Sequence, residues 1–225
     1  MRKDELLKAY RTFWSEFQKV CNAAGAIAKP SDGSSIQIDE NDTNAKQIVI
    51  DALCHFPEWR YKPSTTSGRI QILVQSREIY LRAEDQISRS NVQVLYLQPS
   101  RNATAQSLLA LHYDFEVPVP RAHPVFHAQF GTGRFPPEKL QAIGFRSTIT
   151  PPPKATLYSC VRIPTACMNF VSVLVGLAAD HLAPEVFEQI LKLVRASELT
   201  TWEAGCADLK TSLKAGSYLP SHHWY

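Results

Sequence analysis

Between Arg69 and Phe130 the chain repeats a side-chain period of two with no helical span between the repeats, and this excludes more architectures than any other feature. Ile70, Ile72 and Val74 alternate with Gln71, Leu73 and Gln75, and Ile79 and Leu81 carry the alternation past Ser76-Arg77. Val92, Val94 and Tyr96 share one face of a segment running from Asn91 to Gln98; Ser107 to Val117 and Val125 to Phe130 follow. Short β-branched and aromatic runs separated by polar turns predict strands. A parallel sheet needs crossover connections, usually helices, between its strands. None fits here, so the pattern predicts an antiparallel meander of four or five strands.

The flanks carry a helical period. Leu6, Leu7, Tyr10, Phe13, Trp14, Phe17, Val20 and Cys21 form one broad apolar stripe between Asp4 and Asn22, and Gly25 is a natural stop. A second helix is expected from Asp42 or Thr43, with Ile48, Val49, Ala52, Leu53 and Phe56 turned inward and an end before Pro57. After Pro164 the helical period returns over Thr165–Leu182, over Pro184–Ser197 with proline at the first helical position, and over Thr201–Leu213. Ten of the 15 prolines lie between Pro99 and Pro164, so the connections there are irregular, with a short strand at Thr156–Ile163. The fold class is α+β. A single domain over residues 1–225 is expected: helical over 1–56, sheet and Pro-rich loops over 67–163, helical over 164–215, and a tail over 216–225.

A chain of 225 residues that is 44% hydrophobic and 20% charged can bury a sizeable core without disulfides or metal. The five cysteines (Cys21, Cys54, Cys160, Cys167 and Cys206) have neither knuckle nor redox spacing and read as reduced packing residues. The charged start, Met1-Arg2-Lys3-Asp4-Glu5, does not read as a signal peptide, and the most apolar window, Ala166–Ala179, is too short and too polar to span a bilayer. A cytoplasmic location and no membrane partner are therefore expected. Twenty-four Lys and Arg against 21 Asp and Glu leave a formal charge of +3, which does not indicate nucleic acid.

One constellation carries chemistry. On a strand, His112, Asp114 and Glu116 share one face while Leu111, Tyr113, Phe115 and Val117 take the other; in the next segment His123, Val125, His127 and Gln129 align. If the two segments pair through Pro118-Val119-Pro120, both polar rows lie on one side of the sheet. Imidazoles and carboxylates gathered there can bind a divalent metal through His112, Asp114, His123 and His127, lowering the pKa of its water. Without a metal they can act as general acid and base. Arg121, Arg134, Arg146 and Arg162 lie nearby in sequence, and a guanidinium such as that of Arg162 can clamp an anion. Against this stands the wet face of an ordinary antiparallel strand, which alternates polar and apolar residues in the same way. A one-residue slip in pairing would also separate the rows.

Three other features are weaker. Gly131-Thr132-Gly133-Arg134 lacks the lysine of a phosphate loop and reads as a turn. His181, at a helix carboxyl end, reads as a cap on the dipole. The tail His222-His223-Trp224-Tyr225 offers aromatic anchors to a partner.

Tyr113-Asp114-Phe115-Glu116, His123-Pro124-Val125-Phe126-His127, Arg162-Ile163-Pro164-Thr165 and Ala179-Asp180-His181 resemble bacterial families with a Tyr-Asp-x-Asp/Glu stretch and a His-Pro-x-x-His stretch, found in toxin–antitoxin, mobile-element or phage-defence settings. The resemblance implies a bacterial cytosolic setting and a toxin or defence context, without an activity. Where such sequences continue with His-x-His, this chain has His127-Ala128-Gln129.

Two functions fit these features. One is a small hydrolase of phosphodiesters using His112, Asp114, Glu116, His123 and His127 with Arg162. The other is a non-catalytic interaction subunit or antidote that meets a protein partner through the Pro-rich loops or the tail. A remote third is an inactive ubiquitin-conjugating-enzyme-like fold, which shares the order of helix, meander, His-Pro segment and helices, but the next cysteine after His123 is Cys160.

Overall fold

A computed structural model of the chain describes residues 3–30, 36–39, 44, 46–62, 68–82, 86–99, 104–116, 126–131, 135–150, 162–164, 169–197 and 199. The long amphipathic stripe forms α1 (Lys3–Ala23), burying Leu6, Tyr10, Phe13, Trp14, Phe17 and Cys21. Its end is set by Gly25, which takes φ 72°. This left-handed turn lets the Gly25 and Ala26 amides donate to the Asn22 and Cys21 carbonyls at 3.0 and 2.9 Å.

Eight strands follow: β1 (Ile36–Ile38), β2 (Gln47–Arg60), β3 (Arg69–Leu81), β4 (Gln86–Leu97), β5 (Thr104–Glu116), β6 (Phe126–Phe130), β7 (Thr148–Thr150) and β8 (Arg162–Pro164). Helix α2 (Pro137–Ala142) lies between β6 and β7; α3 (Phe170–His181) and α4 (Pro184–Ala196) close the described chain. The sheet runs β1-β2-β3-β4-β5-β6-β8, with β7 added in parallel beside Thr104–Gln106 of β5. The fold is α+β, but the sheet is larger than a four- or five-strand meander and is mixed rather than purely antiparallel.

The second correction concerns residues 43–56. The helix expected there is the long strand β2. Ile48, Ile50, Ala52, Cys54 and Phe56 face the main core, while Val49, Leu53 and His55 are also buried on the opposite side. A strand covered on both faces loses the polar half of its alternation, so its apolar residues also fit a helical spacing. The β-branched run Ile48-Val49-Ile50 was the signal for a strand.

Helices α1 and α3 cover one face of the sheet, and α4 packs on both helices. Trp14, Phe17, Phe56 and Phe170 pack within 6.5 Å between ring centres, and Trp59 lies 4.4 Å from Phe56. Inside this layer sits a fully buried carboxyl. Glu78 on β3 accepts from the Tyr10 hydroxyl, from Ser90 Oγ at 2.9 Å and from the Phe170 amide at 2.7 Å, and Tyr10 also meets the Tyr80 hydroxyl. Burial pushes the Glu78 carboxyl up, and its three donors pull it only part of the way back. Helix α3 starts on Asn169, whose Oδ1 accepts from the Ser172 amide at 2.8 Å.

At the other end of α3, His181 does not cap its own helix. Its Nδ1–H donates to the carbonyls of Arg60 and Tyr61 at 3.1 and 3.0 Å, tying α3 to the end of β2. Cys21 and Cys54 are free and buried, as packing residues should be; burial pushes the Cys21 thiol up to about 12. No helix among the described residues is long and apolar enough to cross a membrane. The expected helix Thr201–Leu213, the tail, the strand residues before Arg162, Thr132, Gly133, Arg121, Arg134, Cys160, Cys167 and Cys206 lie outside the described residues.

The opposite face of the sheet divides in two. At one end Leu53, Leu73, Leu95, Leu97, Ala105 and Ala110 are capped by Phe135, Leu140, Ile143 and Phe145, making a smaller second core under α2. Beyond it the same face turns polar, where Asp51, Arg77, Asn91 and Asp114 stand side by side on neighbouring strands.

Candidate functional site

The polar patch is built by register. In the antiparallel pair β4–β5, Asn91 lies opposite Asp114 and Gln93 opposite His112. In the pair β5–β6, Asp114 lies opposite His127 and His112 opposite Gln129. Gln129 in turn faces Arg162 on β8, and His127 faces Pro164. Directly opposed residues share a side of the sheet. Two rows therefore cross the sheet together: Asn91, Asp114 and His127, and beside it Gln93, His112, Gln129 and Arg162. The pairing through the Pro-rich connection follows the expected register, without the slip that would part the rows.

The described side chains make contact. His112 Nε2 lies 3.0 Å from Asp114 Oδ1, both half-buried at 28% exposure. Asn91 Nδ2 is 2.6 Å from His112 Nε2 and 2.7 Å from Asp114 Oδ1, closing a triangle of polar atoms. Asn91 escaped the sequence reading because only the register of β4 against β5 brings it to the pair. The alternation Asn91-Val92-Gln93-Val94 was the available signal, since it sends both amides to the polar face.

Next to Asn91 in the row stands Arg77. Its guanidinium contacts Asp51 at 3.0 and 3.1 Å and Asp39 at 2.7 Å, and Lys139 reaches Asp51 at 3.3 Å. These charges are paired with one another and extend the polar face as far as β2 and α2.

The remaining expected site residues are placed by backbone alone. Glu116 falls on the same face of β5, opposite Arg89. His127 and Arg162 occupy the register positions given above; the side chains of all three lie outside the described residues, as does His123 altogether. Among the described residues no group of three His, Cys, Asp or Glu side chains gathers to hold a metal. His112 and Asp114 supply two donors, fewer than the three protein ligands of a catalytic zinc. Chemically, a carboxylate beside an imidazole orients the ring and stabilises its charged form, which suits proton transfer near neutral pH.

No protein-family model matches this chain, and no curated protein or solved structure matches it either.

Proposed function

We propose that the protein is a small hydrolase that cleaves a phosphodiester, with His112 and Asp114 as the proton-transferring pair and a guanidinium such as Arg162 as the clamp on the phosphate. The observation that carries this reading is the contact of His112, Asp114 and Asn91 on the side of the sheet away from the main core. An imidazole held against a carboxylate in a half-buried setting is more ordered than a solvated face requires. The register positions of His127 and Arg162, one strand and two strands away, support the same reading. The bacterial toxin or defence setting implied by the Tyr113–Glu116 and His123–His127 segments belongs to this proposal, as does a cytoplasmic location.

Hydrolysis of bis(p-nitrophenyl) phosphate and of end-labelled RNA and DNA oligonucleotides tests it, with and without added divalent cations. Loss of general acid–base catalysis usually costs about 10²–10⁴-fold in rate. His112→Ala should fall in that range while keeping the far-UV and near-UV dichroism of the parent. An absence of turnover on all three substrates, or equal rates for parent and His112→Ala, rules the reading out. The non-catalytic alternative draws on the Arg77, Asp39, Asp51 and Lys139 network, a charged surface on the same face. Co-purification of a stoichiometric partner that is lost on Arg77→Glu would favour it.

A further inference from the structure

The three-atom contact at the site contains a conflict that fixes the state of the ring. His112 Nε2 and Asn91 Nδ2 lie 2.6 Å apart. An amide nitrogen carries two hydrogens and cannot accept, so two donors cannot stand this close; one of the two nitrogens must present a lone pair. Turning the amide over does not resolve the conflict. The Asn91 oxygen would then sit 2.7 Å from Asp114 Oδ1, acceptor against acceptor beside a negative charge. The arrangement that satisfies every contact has one amide hydrogen on Asp114 Oδ1 and the other on the lone pair of His112 Nε2.

We infer that Asn91 is a positioning residue that holds neutral His112 with its proton on Nδ1. This is the reverse of what a lone carboxylate partner would select. Asp114 at 3.0 Å would by itself draw a proton onto Nε2 and leave Nδ1 as the base. With the amide interposed, the neutral ring keeps no free lone pair and offers an N–H at Nδ1 instead. A neutral imidazole used in this way donates a hydrogen bond to an oxygen that gains negative charge, as at a phosphoryl centre. The removal of a proton from the attacking water then falls to another group. The catalytic consequence rests on the hydrolase reading; the position of the proton does not.

Nitrogen-15 NMR of imidazole-labelled full-length protein, at a pH above the titration range of imidazole, reads the tautomer directly. His112→Gln identifies the ring's signals among the seven histidines. The expected spectrum of the parent protein has a pyridine-type signal for Nε2 and a pyrrole-type signal for Nδ1. In Asn91→Leu the two types should exchange, with Nε2–H donating to Asp114. A pyrrole-type Nε2 in the parent protein overturns the inference by itself, with no variant needed. An exchange that fails to appear in a folded Asn91→Leu overturns the role of Asn91. If the parent shows the expected tautomer yet cleaves no phosphodiester, the hydrolase reading fails and the assignment to Asn91 stands. An active enzyme with the opposite tautomer keeps the hydrolase reading and overturns the assignment.

Discussion

His55 shows how one side chain can set the acid limit of the molecule. It lies on β2 facing the second core, with its ring edge-on to Phe145 at 5.3 Å between centres. Its Nε2 is buried and has no hydrogen-bond partner among the described residues. Burial, reinforced by the charge of Lys29, lowers its pKa from 6.5 to about 4. The unfolded chain therefore binds more protons than the native state between those two values, and stability falls as pH drops through that window. At about 1.4 kcal/mol per pKa unit the loss amounts to about 3 kcal/mol. Urea unfolding between pH 7.5 and 4 should show this slope, and His55→Leu should flatten it. An unchanged slope in the variant would assign the acid sensitivity to other groups.

At this same scale the sequence was informative wherever one strand's alternation sufficed. His112 and Asp114 share a face because they are two residues apart, and that was legible in the sequence. Asn91 and Arg77 join the patch only through cross-strand register, which depends on how three strands align and is not written in any one of them. His55 was invisible for a related reason. A histidine in an apolar run says nothing about which side of a sheet it enters, or whether anything covers that side.

The helices were legible as elements and β2 was not. Helices α1, α3 and α4 each keep a polar stripe or a marked boundary, at Gly25, Asn169 and Pro184, so their period and limits survive in sequence. Strand β2 has apolar neighbours on both faces, which removes the contrast that any period requires. How α1 and α3 attach to the sheet was also hidden, because it depends on a charged residue in an unusual place. The Glu78 carboxyl joins Tyr10 of α1, Ser90 of β4 and the first amide of α3. Glu78→Ala leaves three buried donors without an acceptor. At about 1–3 kcal/mol each, with partial relaxation, the expected loss is about 3 kcal/mol or more. Glu78→Gln keeps an acceptor oxygen and should lose less. Denaturant unfolding of the two variants checks the order, and equal losses would mean that the side chain's volume matters more than its hydrogen bonds.

Across the whole molecule the sheet separates two cores of unequal size, and their difference should be measurable. The helix-covered side draws residues from α1, α3, α4 and β1 to β5, so a gap opened there is fenced in by many elements. Leu174 is fully buried within it. The second core rests on α2, a helix of six residues, with Leu140 at 6% exposure as its inward anchor. Truncating a buried leucine costs about 2–5 kcal/mol, the upper values applying where the surroundings cannot collapse into the space. Leu174→Ala should therefore cost about 4 kcal/mol. Leu140→Ala should cost about 2 kcal/mol, because a short helix can settle inward. Hydrogen exchange should separate the two further, since cooperative units open at different free energies. The slowest amides are expected in β3 and β4, which have strand partners on both sides, around Val74 and Val94. Leu140→Ala should speed exchange in α2 and β7 and leave Val74 and Val94 slow relative to the variant's global stability. Uniform acceleration across the sheet in Leu140→Ala would mean that the two cores open as one, and that the patch bearing His112 shares the stability of the helix-covered side rather than that of α2.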